Sequence, residues 1–122
     1  MNNGIVIVSH VKEIGEGLTR LIREVAQDVP ITVAAGLEQG EVGTSFEKIM
    51  AAFDENSAQT LLAFYDLGSA KMNLEMAIDA TEKNVLLFDT ALIESAYTAA
   101  ALLQVDTSLE AIKEQLTPMK IK

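Results

Sequence analysis

Two periods of apolar residues alternate along the chain. Gly4-Ile5-Val6-Ile7-Val8 runs without a polar break and stops at Ser9 and His10. A run this short and this β-branched predicts a strand buried on both faces, as in parallel sheets. Ile31 to Ala35, Thr60 to Tyr65 and Val85 to Phe88 repeat the pattern; the third strand ends at Asp66 and the fourth at Asp89. Between strands the spacing becomes helical. Ile14, Leu18, Leu21, Ile22 and Val25 recur among Lys12, Glu13, Glu16, Arg20, Arg23 and Glu24. They predict an amphipathic helix of about four turns, ended by Asp28 and Pro30. Gly15 and Gly17 lie in its first turns, where glycine weakens a helix; a close backbone approach to the strand or to a bound group accounts for them.

Thr44 and Glu47 fit a capping box opening a second helix, with Phe46, Ile49, Met50 and Phe53 on its apolar side. A third helix follows Leu67-Gly68-Ser69-Ala70 and runs to about Glu82, with Leu74, Ala77 and Ile78 inward. Met72 and Met76 are assigned to the core rather than to a partner surface. Leu92, Ile93, Ala96, Ala99, Ala100 and Leu103 form a fourth helical face, and Thr107 with Glu110 caps a last short helix through Leu116. Pro118 stops it, and Met119 to Lys122 reads as a tail or a short fifth strand.

Strands alternating with helices predict an α/β fold: a doubly wound, mainly parallel four-stranded sheet with helices on both faces. Right-handed crossovers favour the order 2-1-3-4, with the switch point between the first and third strands. His10 and Asp66 end those two strands and are expected to meet in one crevice. Residues 1–122 read as one domain.

Composition narrows the function. The 122 residues are 49% hydrophobic but only 5% aromatic, and the formal charge is −9. The acidic balance argues against nucleic acid or an anionic membrane as partner. No apolar run reaches the roughly 18 residues of a membrane helix, and no signal peptide is evident. Without cysteine and with one histidine, a transition-metal site is not expected. A cytoplasmic protein is expected.

A carboxylate beside a histidine accepts its ring N–H, fixes the tautomer and aims the other nitrogen outward as a nucleophile. The turns Gly43-Thr44-Ser45 and Gly68-Ser69 sit at helix starts, where backbone N–H groups hold anions. These parts suit a histidine that accepts and donates a phosphoryl group. The plainer readings are a turn histidine, with Asp66, Thr44 and Ser45 as helix caps. A receiver domain would need acidic residues where Ser9 and His10 stand, and a lysine after a fifth parallel strand. A Ser9/His10/Asp66 hydrolase lacks the nucleophile elbow. A histidine phosphatase would need a second histidine.

Gly4-Ile5-Val6-Ile7-Val8-Ser9-His10, Gly43-Thr44-Ser45, and Asp66-Leu67-Gly68-Ser69-Ala70 with Asn73 together resemble the mannose-type EIIA domains of the bacterial phosphotransferase system. Sugar-transporter members usually carry a Gly-Gly-Ser-Pro turn after the aspartate. The turn here is more similar to that of the branch that donates phosphoryl groups to a dihydroxyacetone kinase. The resemblance implies a phosphotransferase with a phosphohistidine intermediate. It implies that His10 is phosphorylated on Nε2 with Asp66 orienting it, and Ser9, Gly43, Thr44, Ser45, Gly68 and Ser69 are the residues expected around the phosphoryl group. By the same resemblance the expected donor is HPr, and the expected acceptor is ADP held by the DhaL subunit, which serves dihydroxyacetone bound to DhaK. This chain itself holds no nucleotide or metal. A homodimer is implied as well, and the excess of apolar residues between Ala91 and Leu103 agrees with it. One departure is Glu94-Ser95-Ala96, where the family commonly has Glu-Gly-Ala at a close helix contact. A sugar-transporter EIIA domain, or a regulatory module with no onward transfer, would share the same histidine machinery.

Overall fold

The computed structural model describes residues 2–122. The strands are β1 (Asn3–Ser9), β2 (Ile31–Ala35), β3 (Thr60–Tyr65) and β4 (Asn84–Phe88); the helices are α1 (Lys12–Arg23), α2 (Phe46–Glu55), α3 (Lys71–Ala80), α4 (Leu92–Gln104) and α5 (Leu109–Leu116). The sheet has the order β2-β1-β3-β4, and every pairing is parallel. The order and the layering match the sequence reading.

The period-two geometry of strands sorts the core into two halves. Ile5 and Ile7 of β1 join Leu62 and Phe64 of β3 beneath α1, α4 and α5, where Leu18, Ile22, Ala99, Leu103 and Ile112 meet them. Val6, Val8, Leu61, Ala63 and Tyr65 face the other way, onto Ile49 and Phe53 of α2 and Leu74 of α3. The central strands are thus apolar on both sides, which is why they read as unbroken runs.

The fifth strand does not form. The segment after α5 is a single 3-10 turn, Thr117–Met119, followed by one antiparallel bridge between Lys120 and Thr90. Pro118 has no N–H to offer a ladder. Both capping boxes shift by one residue. Ser45, not Thr44, accepts the Lys48 N–H at the start of α2, and Ser108, not Thr107, accepts that of Ala111. Each site is a Thr-Ser pair, so the sequence offers two adjacent caps. At the first site the Thr44 hydroxyl is instead taken by the Asn73 amide, 3.0 Å away.

Helix α1 is shorter than expected and rotated. It ends at Arg23, whose guanidinium donates to the carbonyls of Ala26 and Val29 in the following turn. Its buried residues are Gly15, Leu18 and Ile22, while Ile14 and Leu21 are largely outside. Gly15 explains the rotation: a Cβ there would lie 2.6 Å from Ala35 Cβ and 2.8 Å from Val33 Cγ2. The helix rests on β2 through a backbone notch, whereas Gly17 has open space around it. Helix α3 also differs, ending at Ala80 rather than Glu82. Leu74 and Ala77 turn inward, so Met72 and Met76, on the opposite side, are 72% and 52% exposed and not core. On α4 the buried arc passes through Ala96, Ala99, Ala100 and Leu103 and leaves Ile93 outside.

Ser95 is buried where a family glycine is common, and its hydroxyl donates to Ala91 O and accepts from Thr90 Oγ1. The extra polar group is therefore satisfied. No helix among the described residues is long and apolar enough to cross a membrane.

The two α1 glycines should respond oppositely to substitution. Gly15→Val forces α1 off β2 and should cost about 1–3 kcal/mol. Gly17→Ala removes backbone freedom in open space and should gain about 0.5–1 kcal/mol. Urea unfolding of both variants checks this.

Candidate active site

Parallel order places the ends of β1 and β3 side by side at the carboxyl edge of the sheet. The Asp66 N–H donates to Val8 O at 3.2 Å, which brings the carboxylate level with the residues that end β1. One oxygen, Oδ2, accepts from Ser9 Oγ and from the His10 backbone N–H, each at 2.9 Å. The other, Oδ1, accepts from Leu67 N at 2.7 Å and meets His10 Nδ1 at 2.8 Å. Four donors therefore surround a side chain that is 14% exposed, beside a histidine that is 15% exposed.

This arrangement sets charge and tautomer together. Burial pushes the Asp66 carboxyl upward, but the bonds from His10, Ser9 and Leu67 outweigh it and hold the group below its ordinary value. An ionised carboxylate only accepts, so Nδ1 carries the proton. In the neutral imidazole, Nε2 is then the nitrogen with the free lone pair. It points away from Asp66, and the Ser69 hydroxyl lies 2.7 Å from it and can donate to it.

The other residues singled out in the sequence take varied places. Ser9 was expected around the phosphoryl group. Its hydroxyl is instead buried, donating to Asp66 and accepting the Val11 N–H, so it braces the carboxylate. The Gly43 N–H donates to His10 O at 2.8 Å. Gly43 has φ +147°, and a Cβ would strike Leu37; it fastens its loop to the histidine's backbone. Thr44 is tied to Asn73 through its carbonyl and hydroxyl, and Ser45 caps α2. Gly68 opens the 3-10 turn Gly68–Ala70 that carries Ser69 to His10. The cap position of α1, Val11, offers no side-chain acceptor, although its carbonyl takes the Ile14 N–H at 3.1 Å.

The sequence reading missed a polar layer behind the pair. Tyr65 Oη donates to Asp89 Oδ1 at 2.6 Å, and Lys71 Nζ reaches the same carboxylate at 3.2 Å. Burial and the facing carboxylate push the Tyr65 hydroxyl well up. Burial works against ionisation of Asp89 too, but bonds from Tyr65 and Lys71 bring it below its ordinary value. Lys122 Nζ donates to the carbonyls of Tyr65, Asp66 and Thr90. Asp89 was visible as a strand end; a lone lysine in a tail carries no periodic signal.

The EIIA-man family, described as PTS system fructose IIA component, matches residues 4–113. The PTS-dependent dihydroxyacetone kinase, phosphotransferase subunit DhaM, of Lactococcus lactis is 54% identical, over 100% of this chain and 99% of that protein. The chain belongs to the DhaM family. A second DhaM, the phosphoryl donor subunit of PEP-dependent dihydroxyacetone kinase 1 of Listeria innocua, is 44% identical over 98% of this chain and 96% of its own. The crystal structure of EF1359, a protein of unknown function, superposes with a TM-score of 0.86 at 28% identity, covering 100% of this chain and 98% of that one.

The depressed Asp66 group predicts an acid-sensitive DhaM-family fold. A lowered carboxyl contributes stability that is complete above its unfolded value, near 3.9, and is lost as pH falls through the folded value. Wild type should therefore exceed Asp66→Asn in stability at pH 7, and the gap should begin to narrow as pH falls below about 4. Thermal unfolding of both proteins across pH 3–7 measures that gap.

Proposed function

We propose that this chain is a phosphocarrier: it accepts a phosphoryl group from HPr on His10 and passes it to ADP on DhaL, which serves dihydroxyacetone bound to DhaK. The observation that carries the reading is the His10–Asp66 bond at 2.8 Å, which leaves Nε2 facing outward. In the forward step the Nε2 lone pair attacks the phosphorus of the donor's phosphohistidine. The new N–P bond forms as the donor's N–P bond breaks. Positive charge grows on the imidazole and is offset by the Asp66 carboxylate. The Ser69 hydroxyl releases Nε2 and turns its proton to a phosphoryl oxygen. In the second step a terminal oxygen of ADP attacks the same phosphorus, and Nε2 leaves with its lone pair restored. The nucleotide stays on the partner subunit, and this chain needs no metal of its own.

The names of the two DhaM relatives favour the kinase as acceptor over a sugar transporter. We read the working form as a cytoplasmic homodimer, supported by the apolar residues that α4 leaves outside, Ile93 and Tyr97. Sedimentation velocity at micromolar concentration should show a dimer; a monomer alone would argue against it.

Incubation with phosphoenolpyruvate, enzyme I and HPr should load one acid-labile phosphoryl group, and a chase with DhaL–ADP should remove it. His10→Ala should load none. Asp66→Asn should keep its circular dichroism but load roughly 10²-fold more slowly, because an amide can donate to Nδ1 and favour the wrong tautomer. Normal loading of His10→Ala would overturn the reading. Loading without discharge to DhaL–ADP would favour a different acceptor.

A further inference from the structure

The carboxylate of Asp66 is held by groups from its own turn and from the end of β1. Its backbone is a separate matter. The last residue pair joining β3 to β4 is Phe64 with Phe88. Beyond it the two strands part, and the chain leaves the sheet at Asp66 with Leu67 extended. The amide side of Asp66 is fixed by Val8 O at 3.2 Å. Its carbonyl side faces the gap that has opened toward β4.

Lys122 fills that gap. Its ammonium donates to Tyr65 O at 2.8 Å, Asp66 O at 3.2 Å and Thr90 O at 2.7 Å. It also lies 4.5 Å above the centre of the Tyr65 ring, a favourable place for a cation. The base of this side chain is fixed as well, because the N–H groups of Ile121 and Lys122 both donate to Asp89 O. Three donors of one ammonium thus span two strand ends where the ladder has stopped. Burial draws the ammonium below its ordinary value, while the charges of Asp66 and Asp89 oppose that shift.

We propose that Lys122 is a positioning residue for the His10–Asp66 pair, holding the end of β3 at the height from which the carboxylate meets the ring. The proposal rests on the phosphocarrier reading for its effect on rate. Rotation of the backbone at Asp66 would carry Leu67 and the Gly68–Ala70 turn with it. Both ring contacts would then move together: Asp66 on Nδ1 and Ser69 on Nε2. A displacement near 1 Å at a reacting group is enough to slow a transfer step markedly.

The test compares the full chain with Lys122→Met, which keeps an unbranched apolar side chain but loses charge and donors, and Lys122→Arg, which keeps both. Circular dichroism checks that each folds. The first readout needs no phosphoryl donor: the proton NMR resonance of His10 Nδ1–H, shifted far downfield by its bond to Asp66. The second is the rate of phosphoryl uptake from saturating phospho-HPr, with the half-saturating HPr concentration. Lys122→Met should move or broaden the resonance and lower the saturated rate about tenfold, with little change in half-saturation. Lys122→Arg should restore both. A Lys122→Met protein that matches wild type in resonance and rate overturns the proposal. So does a Lys122→Arg protein as slow as Lys122→Met with the resonance unmoved, since that marks packing alone. If wild type takes up no phosphoryl group, the phosphocarrier reading fails, and the resonance still decides the role of Lys122.

Discussion

The carboxylate of Asp66 and the four donors around it are the constraint that the rest of the structure serves. Two of its oxygen's partners come from the residues that end β1, Ser9 and His10; the remaining bonds come from the imidazole and from Leu67. No local segment can assemble such a group. It requires β1 and β3 to be neighbours, parallel and in register, so that Asp66 meets Val8 at the last rung. Neighbouring parallel strands in turn require crossover helices and apolar side chains on both faces. The hydrophobic pattern and the chemistry therefore have one cause: two bare strands must lie together for one charged group to be satisfied. Hydrogen bonds to a charged group are worth about 1.5–3 kcal/mol each, so the arrangement returns stability to the sheet that creates it.

Around this centre the small polar residues divide their tasks by depth. Ser9, fully buried, offers its proton to Asp66 and its lone pair to the start of α1. Ser69, at the surface, faces the outward nitrogen of the ring, Nε2. The first works as part of the frame. The second is free to change partners, because the proton of an exposed hydroxyl rotates freely.

The parts of this arrangement legible in the sequence were those with a period or a boundary. The strands announced themselves as apolar runs, and His10 and Asp66 stood out because each closes one. What escaped depended on distances along no single element. Whether Thr44 or Ser45 caps α2 is decided by Asn73, a residue on another helix. The face that α1 buries is decided by the fit of Gly15 against Val33 and Ala35, which hydrophobic spacing ranks below Ile14 and Leu21. Met72 and Met76 looked like core because methionine is apolar, yet the inward line of α3 is complete with Leu74 and Ala77. Lys122 acts through main-chain carbonyls, and any cation of suitable length in the tail would give the same sequence pattern.

The two halves of the core have a consequence for motion. Each packs on an opposite face of the same two central strands, whereas β2 and β4 lie at the rims of the sheet. Amide hydrogens at a rim exchange through small local openings, while those of a doubly covered strand wait for larger ones. His10 and Asp66 hang from the strands that let go last. Fraying of β2 or β4 can therefore come and go while the bond between His10 and Asp66 stays assembled, so the sheet can loosen at its margins without disturbing the crevice at its centre.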